Sequence, residues 1–134
     1  MPTIHIEVKG LNETLQRLDN LGGVRALEPV MWQSIYRLAD YMAEYPSARP
    51  SSPYVRTGTL GRRWTAATSQ SVTVAGNTIR GAVGNKTTYA PLVQSSRFQA
   101  RVHRGRWRTD AMAINANREK IVADFLAAIK ALQR

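Results

Sequence analysis

Apolar and polar residues alternate from Thr3 to Lys9, T-I-H-I-E-V-K, with Ile4, Ile6 and Val8 on one side and His5, Glu7 and Lys9 on the other. A period of two predicts a half-buried strand. His5 falls on the polar side and reads as a solvated strand residue. Gly10 breaks the pattern. Leu11, Leu15 and Leu18 then follow helical spacing up to Gly22-Gly23, which predicts a short amphipathic helix. Pro29 suits the first turn of a longer helix, with Glu28 beside it at the positive end. Met31, Ile35, Leu38, Met42 and Tyr45 recur at spacings of four and three, and Trp32, Tyr36 and Ala39 widen the stripe. That helix is expected to end at Pro46, and its stripe reads as core.

Periodicity is lost from Pro46 to Gly58, P-S-A-R-P-S-S-P-Y-V-R-T-G, so this segment reads as an extended loop. Leu60 to Thr68 reads as a strand, with Leu60, Arg62, Trp64 and Ala66 on one side. Ser71–Ala75 and Thr78–Val83 flank Gly76-Asn77, a two-residue hairpin turn, with Val72, Val74, Ile79 and Val83 as the apolar face. Tyr89–Gln94, Y-A-P-L-V-Q, is a short apolar run that Pro91 restricts to an edge strand or a turn of helix. Ser95–Arg108 has five arginines and no sustained period, and reads as a second long loop or arm. A last helix is expected from Thr109 or Asp110, burying Ile114, Ile121, Phe125, Ile129 and Leu132. The fold class expected is therefore α+β: a small antiparallel sheet packed on two longer helices, about 29–45 and 110–132, with a short N-terminal helix and two long basic loops. A chain of 134 residues is one domain's worth.

Charge sharpens this picture. The net charge is +10, from 19 Lys and Arg against 9 Asp and Glu. From Tyr45 to Thr109 there is no acid, while that stretch holds eleven bases, ten of them Arg. The flanks together carry a net −1, so the whole excess lies in the middle. Such a segment repels itself and attracts something acidic, and arginine favours planar, bidentate contacts over simple solvation. Either a solubilising surface or a contact surface for nucleic acid or an acidic protein fits. Both long loops are expected to be mobile in a free subunit. Each has a tryptophan within or just after it, Trp64 and Trp107, and Arg with Trp suits an interface anchor or base stacking. For Trp64 a core role is the simpler expectation.

Several classes of chemistry lack their residues. There is no cysteine, hence no disulfide framework or thiolate site. His5 and His103 are too few for a His-rich metal site, and no cofactor is expected. The acid-free centre lacks a carboxylate for acid–base work. No H-E-x-x-H, G-x-S-x-G or G-x-x-x-x-G-K-[ST] pattern occurs. A metal-independent ribonuclease using His103 with Arg and Tyr residues is the remaining catalytic option. The longest uncharged stretch, Trp64–Ile79, is rich in Thr, Ser and Gln and is not a transmembrane helix, and no secretory signal is visible.

The string Y-V-R-T-G-T-L-G-R-R-W from Tyr54 to Trp64, after Pro46, Pro50 and Pro53, then Y-A-P-L-V-Q from Tyr89, then H-R-G-R-W-R-T from His103, resembles the tail-component, or neck, proteins of long-tailed bacteriophages, the gene-ten-like tail-completion family. The resemblance covers most of the chain in its order of elements, but local matches are confined to T-G-x-L and Y-A-x-x-V-Q. The chain departs from the family's pattern at Arg62-Arg63, where the family often has Ser, and at Ser95-Ser96, where it often has Gly. The resemblance implies a non-enzymatic virion or prophage protein of the head–tail joint or tail completion, made in the bacterial cytoplasm and carried in the tail or neck. Its partners would be copies of itself in a ring and neighbouring connector or tail proteins, with weak non-specific DNA contact at most and no membrane. The residues expected to mediate assembly are Arg49, Arg56, Thr57, Gly58, Arg62, Arg63, Arg97, Arg101, Arg104, Arg106, Trp107 and Arg108. Gly58 is expected to let the chain turn sharply into the strand beginning near Leu60. The alternative class is a basic nucleic-acid-binding module.

Overall fold

The N-terminal alternation does form a strand, β1 (Thr3–Val8), in which Ile4 is buried and His5 and Glu7 face solvent. The structure, a computed structural model, describes residues 2–9, 23–47, 58–76 and 78–132. The short helix expected over Leu11–Leu18, the hairpin residue Asn77, most of the Pro46–Gly58 loop and the site candidates Arg49, Arg56 and Thr57 lie outside the described residues.

Strands β2 (Gln70–Ala75) and β3 (Thr78–Gly84) are the two arms of the expected hairpin, and Gly76 between them has φ +56°. The sheet is antiparallel with the order β1–β3–β2. Its register pairs Ile4 with Val83, Ile6 with Gly81 and Val8 with Ile79, while Val72 and Val74 lie opposite Gly81 and Ile79. Ile4, Ile6, Val8, Val72, Val74, Ile79 and Val83 thus share one face, as a side-chain period of two requires. His5, Glu7, Ser71, Thr73 and Arg80 occupy the other, solvated face, where the Arg80 guanidinium lies 3.2 Å from His5 Nδ1.

A three-ten turn (Gly23–Leu27) leads into α1 (Glu28–Ala43), with Pro29 in its first turn. Met31, Ile35, Leu38, Ala39 and Met42 are buried in the core, Met31 and Ile35 against the sheet at Gly81. Close approach is possible because Gly81 has no side chain. A Cβ there would come within 2.6 Å of Met31 Sδ and 2.8 Å of Ile35 Cδ1. The expected stripe is too wide by one residue: Tyr36 is 51% exposed and stacks on Trp32, ring centroids 5.7 Å apart. The last helix, α4 (Asp110–Leu132), buries Ala113, Ile121 and Phe125, with Ile114, Ile129 and Leu132 half-buried beside them. The Thr109 hydroxyl accepts the Met112 N–H at 3.3 Å, as an N-cap should. Arg37 of α1 pairs with Asp124 of α4 at 3.4 Å.

The segment read as a strand over 60–68 is instead a helix, α2 (Thr59–Thr65), followed by a three-ten turn (Ala67–Ser69). The strand reading needed Arg62 and Ala66 on the same side as Trp64. In the structure Leu60, Gly61 and Trp64 are buried and Arg62 is exposed, the pattern of a helix whose residues four apart share a face. Y-A-P-L-V-Q resolves as a single helical turn, α3 (Ala90–Gln94), with Pro91 in its first turn. The fold is α+β with a three-stranded antiparallel sheet. No helix among the described residues is long and apolar enough to cross a membrane.

Candidate functional site

Three segments far apart in sequence meet at the C-terminal end of α1. The first is α2. It begins at Gly58, whose φ of +79° is left-handed, and the Gly58 carbonyl accepts the Arg62 N–H at 3.1 Å. The sharp turn expected at Gly58 is present, but it starts a helix and not a strand. That helix directs Leu60 and Trp64 into the body and leaves Arg62 and Arg63 in solvent.

The second segment is α3 with the residues before it. Trp64 and Gln94 are both fully buried, and the Trp64 indole N–H donates to Gln94 Oε1 at 2.7 Å. Gln94 Nε2 donates onward to the Met42 carbonyl at 3.0 Å. Buried Asn85 donates to the Leu60 carbonyl at 2.8 Å and accepts the Thr87 N–H at 3.0 Å. Each of these buried polar groups thereby has a partner, as a stable interior requires. Leu60, Ala90 and Val93 form a second small apolar cluster, flanked by Tyr45 and Trp107.

The third segment is 95–108. It is irregular, with one three-ten turn (Arg101–His103), but it folds back on the body and does not project from it as an arm would. Gln99 is the reason. Its Nε2 donates to the carbonyls of Val93 (2.7 Å), His103 (3.3 Å) and Trp107 (3.2 Å), closing the segment into a loop. Trp107 then meets Tyr45 edge-on, centroids 5.0 Å apart, and Tyr45 Oη accepts the Gly61 N–H at 2.8 Å. The Arg108 guanidinium donates to the Tyr41 carbonyl at 3.0 Å, pairs with Glu44 at 2.8 Å and lies 4.1 Å from the centre of the Tyr41 ring. Arg106 donates to the Ser47 carbonyl at 2.8 Å.

The last carbonyls of a helix have no intrahelical donor and carry partial negative charge. Here Gln94 and Arg108 supply donors to Met42 and Tyr41, and the positive charge of Arg108 suits that end. The residues carrying the sequence motifs are therefore first of all a junction that ties α1, α2, α3 and the 95–108 segment together.

Charge is left over around this junction. Among the described residues, Arg108 is the one base of the acid-free centre that forms an ion pair. Arg62, Arg63, Arg97, Arg101 and Arg104 are exposed, and Arg97 lies 5.3 Å from the centre of the Phe98 ring. Of the expected assembly residues, Trp107 and Arg108 face this chain's own helix end, whereas these five arginines face solvent. Gln94, Asn85 and Gln99 are not site candidates from sequence, and Tyr45 reads there only as part of the helical stripe. The one available signal was an amide closing the apolar run Y-A-P-L-V-Q.

His103 stands edge-on to Trp107, centroids 6.3 Å apart. The described residues contain no group of three or more His, Cys, Asp or Glu arranged to hold a metal. Compared with protein-family models, curated proteins and solved structures, the chain finds no match in any of the three.

Proposed function

We propose that this chain is a non-enzymatic structural protein of a phage or prophage, acting at the head–tail joint or in tail completion and carried in the virion. It assembles with copies of itself into a ring and with neighbouring connector or tail proteins. The observation that supports this reading is the convergence at one helix end of the described parts of the three segments on which the resemblance rests, through the Trp64–Gln94 bond and the packing of Trp107 on Tyr45. Motif residues that hold one another in place while exposing uncompensated arginines suit a subunit whose work is to present a surface. A closed ring needs a head-to-tail contact between unlike surfaces of identical subunits. The division into a basic centre and near-neutral flanks provides unlike surfaces.

The unpaired arginines also favour a second reading, a nucleic-acid-binding module. Two measurements on the purified chain separate them. Mass in solution across a concentration series is expected to reveal a defined oligomer. Filter binding to DNA at two salt concentrations is expected to give weak binding only. Tight binding that collapses with salt, from a chain that stays monomeric, would overturn the assembly reading, because phosphate contacts release counterions.

A further inference from the structure

Among the described residues, four of the eight large apolar side chains that are exposed lie in the short stretch from Tyr89 to Val102. Leu92 and Phe98 are each 56% exposed and Val102 is 54% exposed. The Ala100 N–H donates to the Leu92 carbonyl at 2.7 Å, which brings the stretch around Phe98 and Val102 back beside the end of α3. Arg97, Arg101 and Arg104 are interspersed along the same stretch and are exposed, and none of them pairs with an acid among the described residues. We propose that this apolar and basic patch, centred on Leu92 and Phe98, is a docking surface for an acidic, amphipathic segment of a different protein.

Charge complementarity identifies the occupant. An apolar centre rimmed by one sign of charge is matched by an apolar strip rimmed by the other. Among the described residues, a second copy of this chain supplies no such strip. Among its described acids, Glu28, Glu44 and Asp124 are already in ion pairs, and Asp110 accepts the Ser96 N–H at 2.8 Å. Glu7, Asp40 and Glu119 remain, and they lie on β1, α1 and α4, three separate elements. The exposed apolar residues of α4, Met112, Val122 and Leu126, share that helix with Arg118, Lys120 and Lys130, which would repel the patch. A duplex nucleic acid would meet the arginines through its phosphates but give nothing to Leu92 or Val102, whose aliphatic side chains neither hydrogen-bond nor pair with charge. The patch therefore suits a neighbouring protein that brings carboxylates and leucine-like side chains together. This rests on the assembly reading and adds the chemistry of one neighbour to it.

The test uses the full chain and a labelled synthetic helical peptide with a leucine stripe flanked by glutamates, followed by fluorescence anisotropy. Two control peptides replace the leucines by serine or the glutamates by lysine, and a duplex oligonucleotide is the third competitor. The acidic amphipathic peptide is expected to bind at least about tenfold tighter than all three, as hot-spot contacts of this kind allow. The double variant Leu92→Ser/Phe98→Ser should lose that preference while keeping its thermal midpoint and its oligomeric mass. Equal binding of the serine control would show that charge alone acts, and tighter binding of the duplex would favour nucleic acid. Absence of peptide binding, or loss of the oligomer in the double variant, would also overturn the proposal. The mass measurement on the unaltered chain is independent of the peptide, so failure of this docking surface is separable from failure of the assembly reading.

Discussion

The indole N–H of Trp64 donates to Gln94 Oε1 at 2.7 Å, and the amide of that same glutamine donates to the last turn of α1 at Met42. Three elements are coupled through one buried side chain. Removing one partner leaves the other buried without a hydrogen bond, at about 1–3 kcal/mol. Trp64→Phe and Gln94→Leu should each destabilise by at least that much in urea unfolding. The double variant should be less unstable than the sum of the two, with a coupling energy of about 0.5–3 kcal/mol. Strict additivity would show that the bond contributes nothing to stability.

Gly58 offers a test of backbone geometry. Its φ of +79° is left-handed, and an added Cβ would meet the Arg62 side chain only at its flexible end, 3.0 Å away. The expected cost is therefore the backbone's own, about 1–2 kcal/mol for an ordinary L-residue. Asn tolerates this region best and a β-branched residue worst. Thermal unfolding should rank the variants Gly58→Asn, Gly58→Ala and Gly58→Val in order of increasing damage. A different order would mean that space around residue 58, not its backbone angle, sets the penalty.

These two relationships also mark how far the sequence can be read. Strands β1, β2 and β3 were legible because Ile4, Ile6 and Val8, and the valines of the hairpin, keep a period of two over several residues. Helices α1 and α4 were legible because their apolar residues keep helical spacing over many turns. In α2 only Leu60 and Trp64 are large and apolar, and a separation of four fits a strand and a helix equally well. The structure seats Trp64 on Gln94, thirty positions on, a contact that no local pattern contains. The basic surface was visible as composition, but Leu92 and Phe98 were not visible as surface. An apolar residue in a short irregular stretch looks the same whether it is inside or outside.

Gln99 governs the 95–108 segment. One carboxamide nitrogen serves three carbonyls, so Gln99→Glu would place an oxygen against three oxygens. Hydrogen exchange on the unaltered chain should protect the amides of Ala100 and Trp107, which donate to Leu92 and His103, more than those of Arg101 and Gly105. In Gln99→Glu the protection at Ala100 and Trp107 should fall by about tenfold, the equivalent of roughly 1.4 kcal/mol of local opening. If Trp107 exchanges freely in the unaltered chain, the segment is not held by its base and the role given to Gln99 is wrong.

Arg108 tests whether the helix end matters energetically. Its guanidinium serves the Tyr41 carbonyl, the Glu44 carboxylate and the Tyr41 ring together, and it is only about one-third exposed. Glu44 is largely in solvent, so the ion pair itself contributes little, about 0–1 kcal/mol. The carbonyl contact and the ring stacking are the larger share. Arg108→Lys keeps the charge but loses the planar fork, and should cost nearly as much stability as Arg108→Met. Unfolding in low and high salt should change the deficit little, since most of it is not a screened charge effect.

Arg62 and Arg63 provide the opposite case. Among the described residues, the Arg62 side chain reaches only the Thr59 hydroxyl, at 3.5 Å, and both side chains are in solvent on the outer side of α2. Neither pairs with an acid among the described residues. The double variant Arg62→Glu/Arg63→Glu should therefore cost no more than the term for reversing charge in a last helical turn, about 1–2 kcal/mol. If these arginines meet the next copy in a ring, the same variant should lower the oligomer mass at a fixed concentration. Raising the salt should weaken the unaltered oligomer in the same direction, because contacts between exposed charges are screened. A variant that keeps both its stability and its oligomer would remove α2 from the assembly surface and leave the other exposed arginines, Arg97, Arg101 and Arg104, to carry it.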